Sequence, residues 1–129
     1  MAQPPTGLPL EHFKLLWDYI KFHLGLYLAT PTVIGVLAKS FGIEDQRLFI
    51  VGWCLMTVCC FASGLHASLF MARRVNRKWD ADYPFDWEAD ATSIWRRRMQ
   101  HHLYWIALAF GLGGFGIALW MKWMSPAGP

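Results

Sequence analysis

The sequence predicts an all-α membrane protein with three transmembrane helices, because its apolar residues are gathered into three long stretches. Of its 129 residues, 55% are hydrophobic, yet the mean hydropathy of the whole chain is only +0.25. Stretches of 17, 25 and 19 residues contain no Lys, Arg, Asp or Glu. A helix needs roughly 17–25 apolar residues to cross about 30 Å of hydrocarbon. We therefore predict spans at about 22–38, 48–71 and 103–121, within a single membrane domain, 1–129.

The pattern inside these stretches favours helices over the only other membrane-spanning structure, a closed β-barrel. Strands of a barrel alternate between apolar and polar residues, because one face meets lipid and the other the lumen. Residues 48–51 and 107–110 are apolar without alternation.

Two amphipathic helices are predicted at the membrane surface, one before the first span and one before the third. The first, at 9–21, has charges on one face and apolar residues at helical spacing on another. The second begins near Asp86, and its apolar face includes Trp87 and Trp95, which favour the lipid–water interface. The alternative is that this segment extends the third helix straight out of the membrane.

The distribution of basic residues predicts the orientation of the chain. Seven of the twelve Lys and Arg residues lie in the connection 73–102 between the second and third spans. By the positive-inside rule, this connection and the N-terminus are cytoplasmic and the C-terminus is external. We expect the cytoplasmic (inner) membrane of a bacterium, and we attribute the net charge of +3 to this bias and not to nucleic-acid binding.

Small residues at a spacing of four in the third span predict close helix packing. Ala107 precedes Gly111, and Ala109 precedes Gly113, by four residues. In lipid such positions let two helix backbones approach each other. We expect this face to meet another helix, in the same chain or in a second copy.

Three histidines are predicted to lie at one depth near the cytoplasmic face, one on each helix: His23, His66 and His102. Ionisable groups inside spans are functional candidates. Each belongs to a stripe of polar or small residues expected to face the interior. The stripe of His102 continues through Ala109, Gly113 and Gly116. His101 projects about 100° away from His102, so only one of the two is expected to join an interior site.

Several ligands suit such a layer. Two imidazoles on facing helices can hold a haem b axially, with Gly25 and Gly64 making room for the porphyrin. Histidine with Tyr27 or Arg73 can instead hydrogen-bond a quinone carbonyl, and three histidines can bind zinc or copper. The structural alternative is that the imidazoles bond only to backbone carbonyls or lipid phosphate. The cysteines, all in the second span, lack the spacing of a metal or redox motif.

Three functions follow from these features. The first is a small subunit without catalytic activity of its own, in a larger respiratory or photosynthetic membrane complex, docking a partner through its cytoplasmic connection. The second is a haem b- or quinone-binding anchor for electron transfer. In size and span number the chain resembles three-helix haem b anchors such as those of succinate dehydrogenase. The third is a self-assembling channel or a toxin- or immunity-type membrane protein. The expected partners are the lipid bilayer and other membrane subunits, including further copies of this chain.

Overall fold

A computed structural model describes residues 8–79 and 91–125, which form three α-helices. The helices are α1 (Leu8–Phe41), α2 (Arg47–Trp79) and α3 (Ala91–Met124). Each contains a segment long and apolar enough to cross a membrane: Lys14–Phe41, Arg47–Arg73 and Ile94–Met124. The prediction of three apolar, membrane-compatible helices is therefore confirmed, and each helix continues beyond the span predicted for it.

The two predicted interfacial helices are not separate elements in the described residues. Residues 9–21 belong to α1, which continues without a break into the first span. Residues 91–102 are the first three turns of α3, so the described part of this segment extends the third helix. Backbone hydrogen bonds continue through both junctions, since neither contains a glycine or proline to interrupt them. The predicted start near Asp86 lies outside the described residues.

A short turn joins α1 to α2 at residues 42–46, and its first residue explains how α1 ends. Gly42 has a φ of 62°, which glycine adopts without the steric cost of a side chain. The amide of Gly42 donates to the carbonyl of Lys39 at 3.1 Å, and that of Ile43 to Ala38 at 3.0 Å. This bonding pattern is a Schellman motif. Ile43 and Ala38 are both buried, as the apolar contact of this motif requires.

The α2/α3 interface is the most extensive in the bundle, and glycines from both helices make it close. A Cβ atom on Gly52 would lie 2.6 Å from the Phe110 carbonyl oxygen and 3.1 Å from the Cα of Gly114. A Cβ on Gly111 would overlap the sulfur of Met56. Of the two predicted small-residue pairs, Ala107 and Gly111 therefore contact another helix of the same chain.

Helix α1 is fixed to α2 through an indole and a proline carbonyl. Pro31 lies inside α1, and Trp53 of α2 donates its indole N–H to the Pro31 carbonyl at 2.8 Å. The ring of Trp53 lies over Gly35, where a Cβ would be 3.4 Å from the indole nitrogen. Gly35 therefore provides the space in which Trp53 reaches the backbone of α1.

The C-terminal end of α1, the start of α2 and the end of α3 lie at one end of the bundle. The Lys122 amine of α3 donates to the carbonyls of Phe41 and Gly42, where the α1 dipole is negative. Helices of 33 or 34 residues are about 50 Å long, whereas the hydrocarbon layer is about 30 Å thick. Because the three helices are aligned at this end, their excess length lies at the opposite end.

Candidate functional site

The predicted histidine layer lies close to where a hydrocarbon layer would end. About 20 residues span 30 Å, and counting them from the aligned end reaches about residue 22 on α1, 66 on α2 and 105 on α3. His23 and His66 lie within one residue of these positions, and His101 lies about one helical turn beyond the position on α3. Each of the three helices therefore carries an imidazole towards the same end of the bundle.

His23 is partly buried on α1, and its partners come from its own helix and from α3. Its Nδ1 donates to the backbone carbonyl of Tyr19 at 2.8 Å, which fixes the tautomer because a carbonyl only accepts. Its ring lies 4.0 Å from the Tyr19 ring and 5.4 Å, edge to face, from the ring of His101. Tyr27, predicted on the same stripe, is buried.

Tyr19 and His101 join α1 to α3 through a side-chain hydrogen bond. The Tyr19 hydroxyl and His101 Nε2 are 2.6 Å apart. Arg97 lies one turn before His101 on α3, and its side chain is exposed. This cluster of Tyr19, His23, Arg97 and His101 is partly open to the surroundings, and we call it the α1/α3 polar groove.

His102, the residue predicted to join the site from α3, is exposed, on a face of that helix about 100° from the face of His101. Ala109, Gly113 and Gly116, predicted to continue its interior stripe, are exposed as well. The prediction that this stripe faces the interior is wrong. Both faces of α3 carry small residues, and the buried one is the face of Ala107 and Gly111, which packs on α2. His101 contacts the bundle instead.

His66 of α2 lies on the inward stripe predicted for it, with Cys59 partly buried and Ser63 fully buried. Its ring packs edge to face against the Trp95 ring of α3, with centroids 5.1 Å apart. Its Nδ1 is buried and has no hydrogen-bond partner in the described part of the chain. In the described ring contacts, the His66 ring therefore packs against Trp95, and the His23 ring packs against His101.

A buried glutamine, Gln100, belongs to the same level and was not predicted from the sequence. It is fully buried, and neither its amide oxygen nor its nitrogen has a hydrogen-bond partner among residues 8–79 and 91–125. The register of Gly52 with Gly114 and of Met56 with Gly111 places Gln100 at the level of His66 and Ala67 of α2. Its position could have indicated this burial, because Gln100 lies seven residues before Ala107 and so shares the packed face of α3.

One turn deeper, a tyrosine and a threonine connect α1 and α3. The hydroxyls of Thr30 and Tyr104 are 2.9 Å apart, and Thr30 also donates to the carbonyl of Leu26. The rings of Tyr27 and Tyr104 are 5.1 Å apart. The Tyr27 hydroxyl is buried without a partner in the described residues. The polar layer therefore extends inward along the α1/α3 contact.

The geometry bears on the predicted cofactors. In a haem with two axial histidines, the porphyrin lies between the imidazoles. His23 and His101 instead touch edge to face, so haem binding by this pair would require the helices to separate. Among the described residues, no three His, Cys, Asp or Glu side chains converge as metal ligands, so this part supplies no ligand set for zinc or copper. Haem or quinone binding by His23, His66 and His102 stays a prediction.

Comparison with protein-family models, with curated proteins and with solved structures found no match. The described residues offer a polar layer near the level where a hydrocarbon layer would end, the α1/α3 polar groove, and a small-residue face of α3 that no described helix covers.

Proposed function

We propose that this chain is a non-catalytic subunit of a larger membrane protein complex. The observation that supports it most is the outward face of α3, formed by Ala109, Gly113 and Gly116. A Cβ added to Gly113 or Gly116 would meet no atom within 4 Å, so neither glycine is needed for packing inside the chain. In lipid, small residues contribute chiefly where another helix approaches closely. A helix of a partner subunit fits this face.

The long polar end of the bundle is the second part of the proposal. Helices α1 and α3 each exceed the hydrocarbon thickness by about 20 Å. At this end Trp95, Arg97 and Arg98 of α3 are exposed. Aromatic and arginine side chains are enriched at protein interfaces. We propose that this end, in the connection 73–102, docks a cytoplasmic portion of the partner; residues 80–90 lie outside the described part.

Purification of the tagged chain from its native membrane in mild detergent tests the proposal. We expect recovery with a stoichiometric partner, and we expect Gly113→Leu to release that partner because the leucine holds the neighbouring helix away. Gly25→Leu is the matched control, since Gly25 also has no atom within 4 Å of an added Cβ but lies on α1.

Three outcomes would contradict the proposal. Recovery of the unmodified chain only as a monomer removes the complex. Recovery only as copies of itself, by intact mass, favours the self-assembling channel instead. Retention of the partner by Gly113→Leu shows that the outward face of α3 is not the contact.

A further inference from the structure

The α1/α3 polar groove combines a cation, two imidazoles and a phenol at the level where the hydrocarbon layer would end. Arg97 is exposed, and Tyr19, His23 and His101 are each only partly covered. The acidic side chain nearest in sequence, Asp18, is already paired with Lys21 at 3.1 Å. Among the residues that the structure describes, the groove therefore carries net positive charge.

The Tyr19–His101 hydrogen bond leaves a donor for an outside ligand in either of its two forms. If the Tyr19 hydroxyl donates to Nε2, the proton of His101 lies on Nδ1, an N–H without a second hydrogen bond among the described contacts. If Nε2 donates to the hydroxyl oxygen, the Tyr19 O–H is the donor without a second described partner. Together with the Arg97 guanidinium, the groove offers at least two kinds of donor to an anion.

The side chains along this face of α3 change from charged to apolar within two turns. Arg97, His101 and Trp105 follow one another at intervals of four residues, and Trp105 is 69% exposed. Phe22 of α1 is 67% exposed, and its ring packs against that of His23. A phospholipid has the same order of groups, with its phosphate at the membrane surface and its acyl chains in the hydrocarbon layer. Its phosphate would therefore meet the charged part of this face, and an acyl chain would meet the aromatic part.

We propose that the α1/α3 polar groove binds the phosphate of one anionic phospholipid, with an acyl chain against Trp105. Basic pockets between transmembrane helices commonly hold anionic headgroups. Free phosphate shares the headgroup chemistry but does not use the aromatic surface, so the two ligands are separable by experiment.

Native mass spectrometry of the purified full chain in detergent, with added phosphatidylglycerol or phosphatidylcholine, tests this. We expect one phosphatidylglycerol retained in preference to phosphatidylcholine. Arg97→Gln should weaken this retention by about fivefold, since one cation near an anionic membrane surface contributes about 1 kcal/mol. Arg98→Gln removes the same charge from the next position, on a different face of α3, and should have little effect.

Trp105→Ala tests the contribution of the aromatic surface. It truncates an exposed side chain, so the fold should persist while phosphatidylglycerol retention falls. Inorganic phosphate at millimolar concentration should not displace the lipid. Equal retention of both lipids, equal losses in Arg97→Gln and Arg98→Gln, unchanged retention in Trp105→Ala, or displacement by inorganic phosphate would each overturn the proposal.

Discussion

At the scale of single residues, the polar side chains between the helices are of two kinds. Some form a hydrogen bond with a backbone carbonyl, and others are buried without a described partner. Trp53 bonds to the carbonyl of a proline in the neighbouring helix, and Ser63 donates to the carbonyl of Cys59 in its own helix. Gln100 is buried as deeply as Ser63 but has no partner in the described residues. Because desolvation is costly for an unpaired polar group, these positions should respond differently to substitution.

Trp53→Phe should destabilise the protein by about 0.5–1 kcal/mol, because it removes one interhelical hydrogen bond while keeping most of the aromatic volume. Thermal unfolding in detergent, followed by circular dichroism, measures the change. Trp123→Phe serves as control, since Trp123 is 77% exposed. Equal effects of the two substitutions would show that the bond to Pro31 contributes nothing.

Gln100→Met should stabilise the protein by about 1 kcal/mol, because the substitution keeps the side-chain volume and removes a buried amide without partners. The same unfolding assay applies. Ser63→Ala is the comparison, because the Ser63 hydroxyl is equally buried but hydrogen-bonded, so its removal should bring no gain. A loss of stability in Gln100→Met would reveal that the amide is paired with a group outside the described residues.

At the scale of elements, the glycines divide into those that set a helix contact and those that do not. Gly52 and Gly114 face each other across α2 and α3, at distances that exclude a Cβ on Gly52. Gly113, the neighbour of Gly114, has no atom within 4 Å of an added Cβ. Four glycines close together in the sequence of α3 therefore have different roles, according to the direction each one faces.

Gly52→Ala should cost about 1–3 kcal/mol, because its Cβ would push against the α3 backbone, which cannot rotate away as a side chain can. Gly25→Ala is the matched control: it gains the same helix propensity, and its Cβ would meet no atom within 4 Å. The difference between the two unfolding free energies, measured in the same detergent, isolates the packing cost. A difference near zero would mean that α2 and α3 are further apart than the structure places them.

At the scale of the whole molecule, the three helices share one aligned end, and the length beyond a bilayer collects at the other. The alignment comes from the five-residue turn between α1 and α2 and from Lys122, which reaches the last carbonyls of α1. His23, His66 and His101 lie towards the opposite end, near the level where a hydrocarbon layer of about 30 Å would end. Both proposals, the partner contact and the phospholipid groove, depend on this arrangement.

The aligned end should be external and the connection 73–102 cytoplasmic. In a chain with its three native cysteines replaced by alanine, a membrane-impermeant maleimide applied to intact cells should label Asp45→Cys and Ser125→Cys. Asp82→Cys should react only after the membrane is opened. Positions 45 and 125 should be labelled alike, because the hydrogen bonds of Lys122 to Phe41 and Gly42 hold the two ends of the chain segments on the same side. Labelling of Asp82→Cys alone would reverse the predicted orientation.

The sequence by itself determined that there are three long apolar helices, because charge-free stretches of this length leave few other ways to satisfy the backbone in lipid. It also predicted a histidine near the same end of each helix, since position along a helix follows from counting residues. It did not determine which side of α3 faces inward. His101 and His102 differ by about 100° in direction, and small residues line both sides, so helical periodicity favours neither. Only the packing of Gly111 and Gly114 on α2 decided it, turning His101 towards Tyr19 and leaving His102 outside.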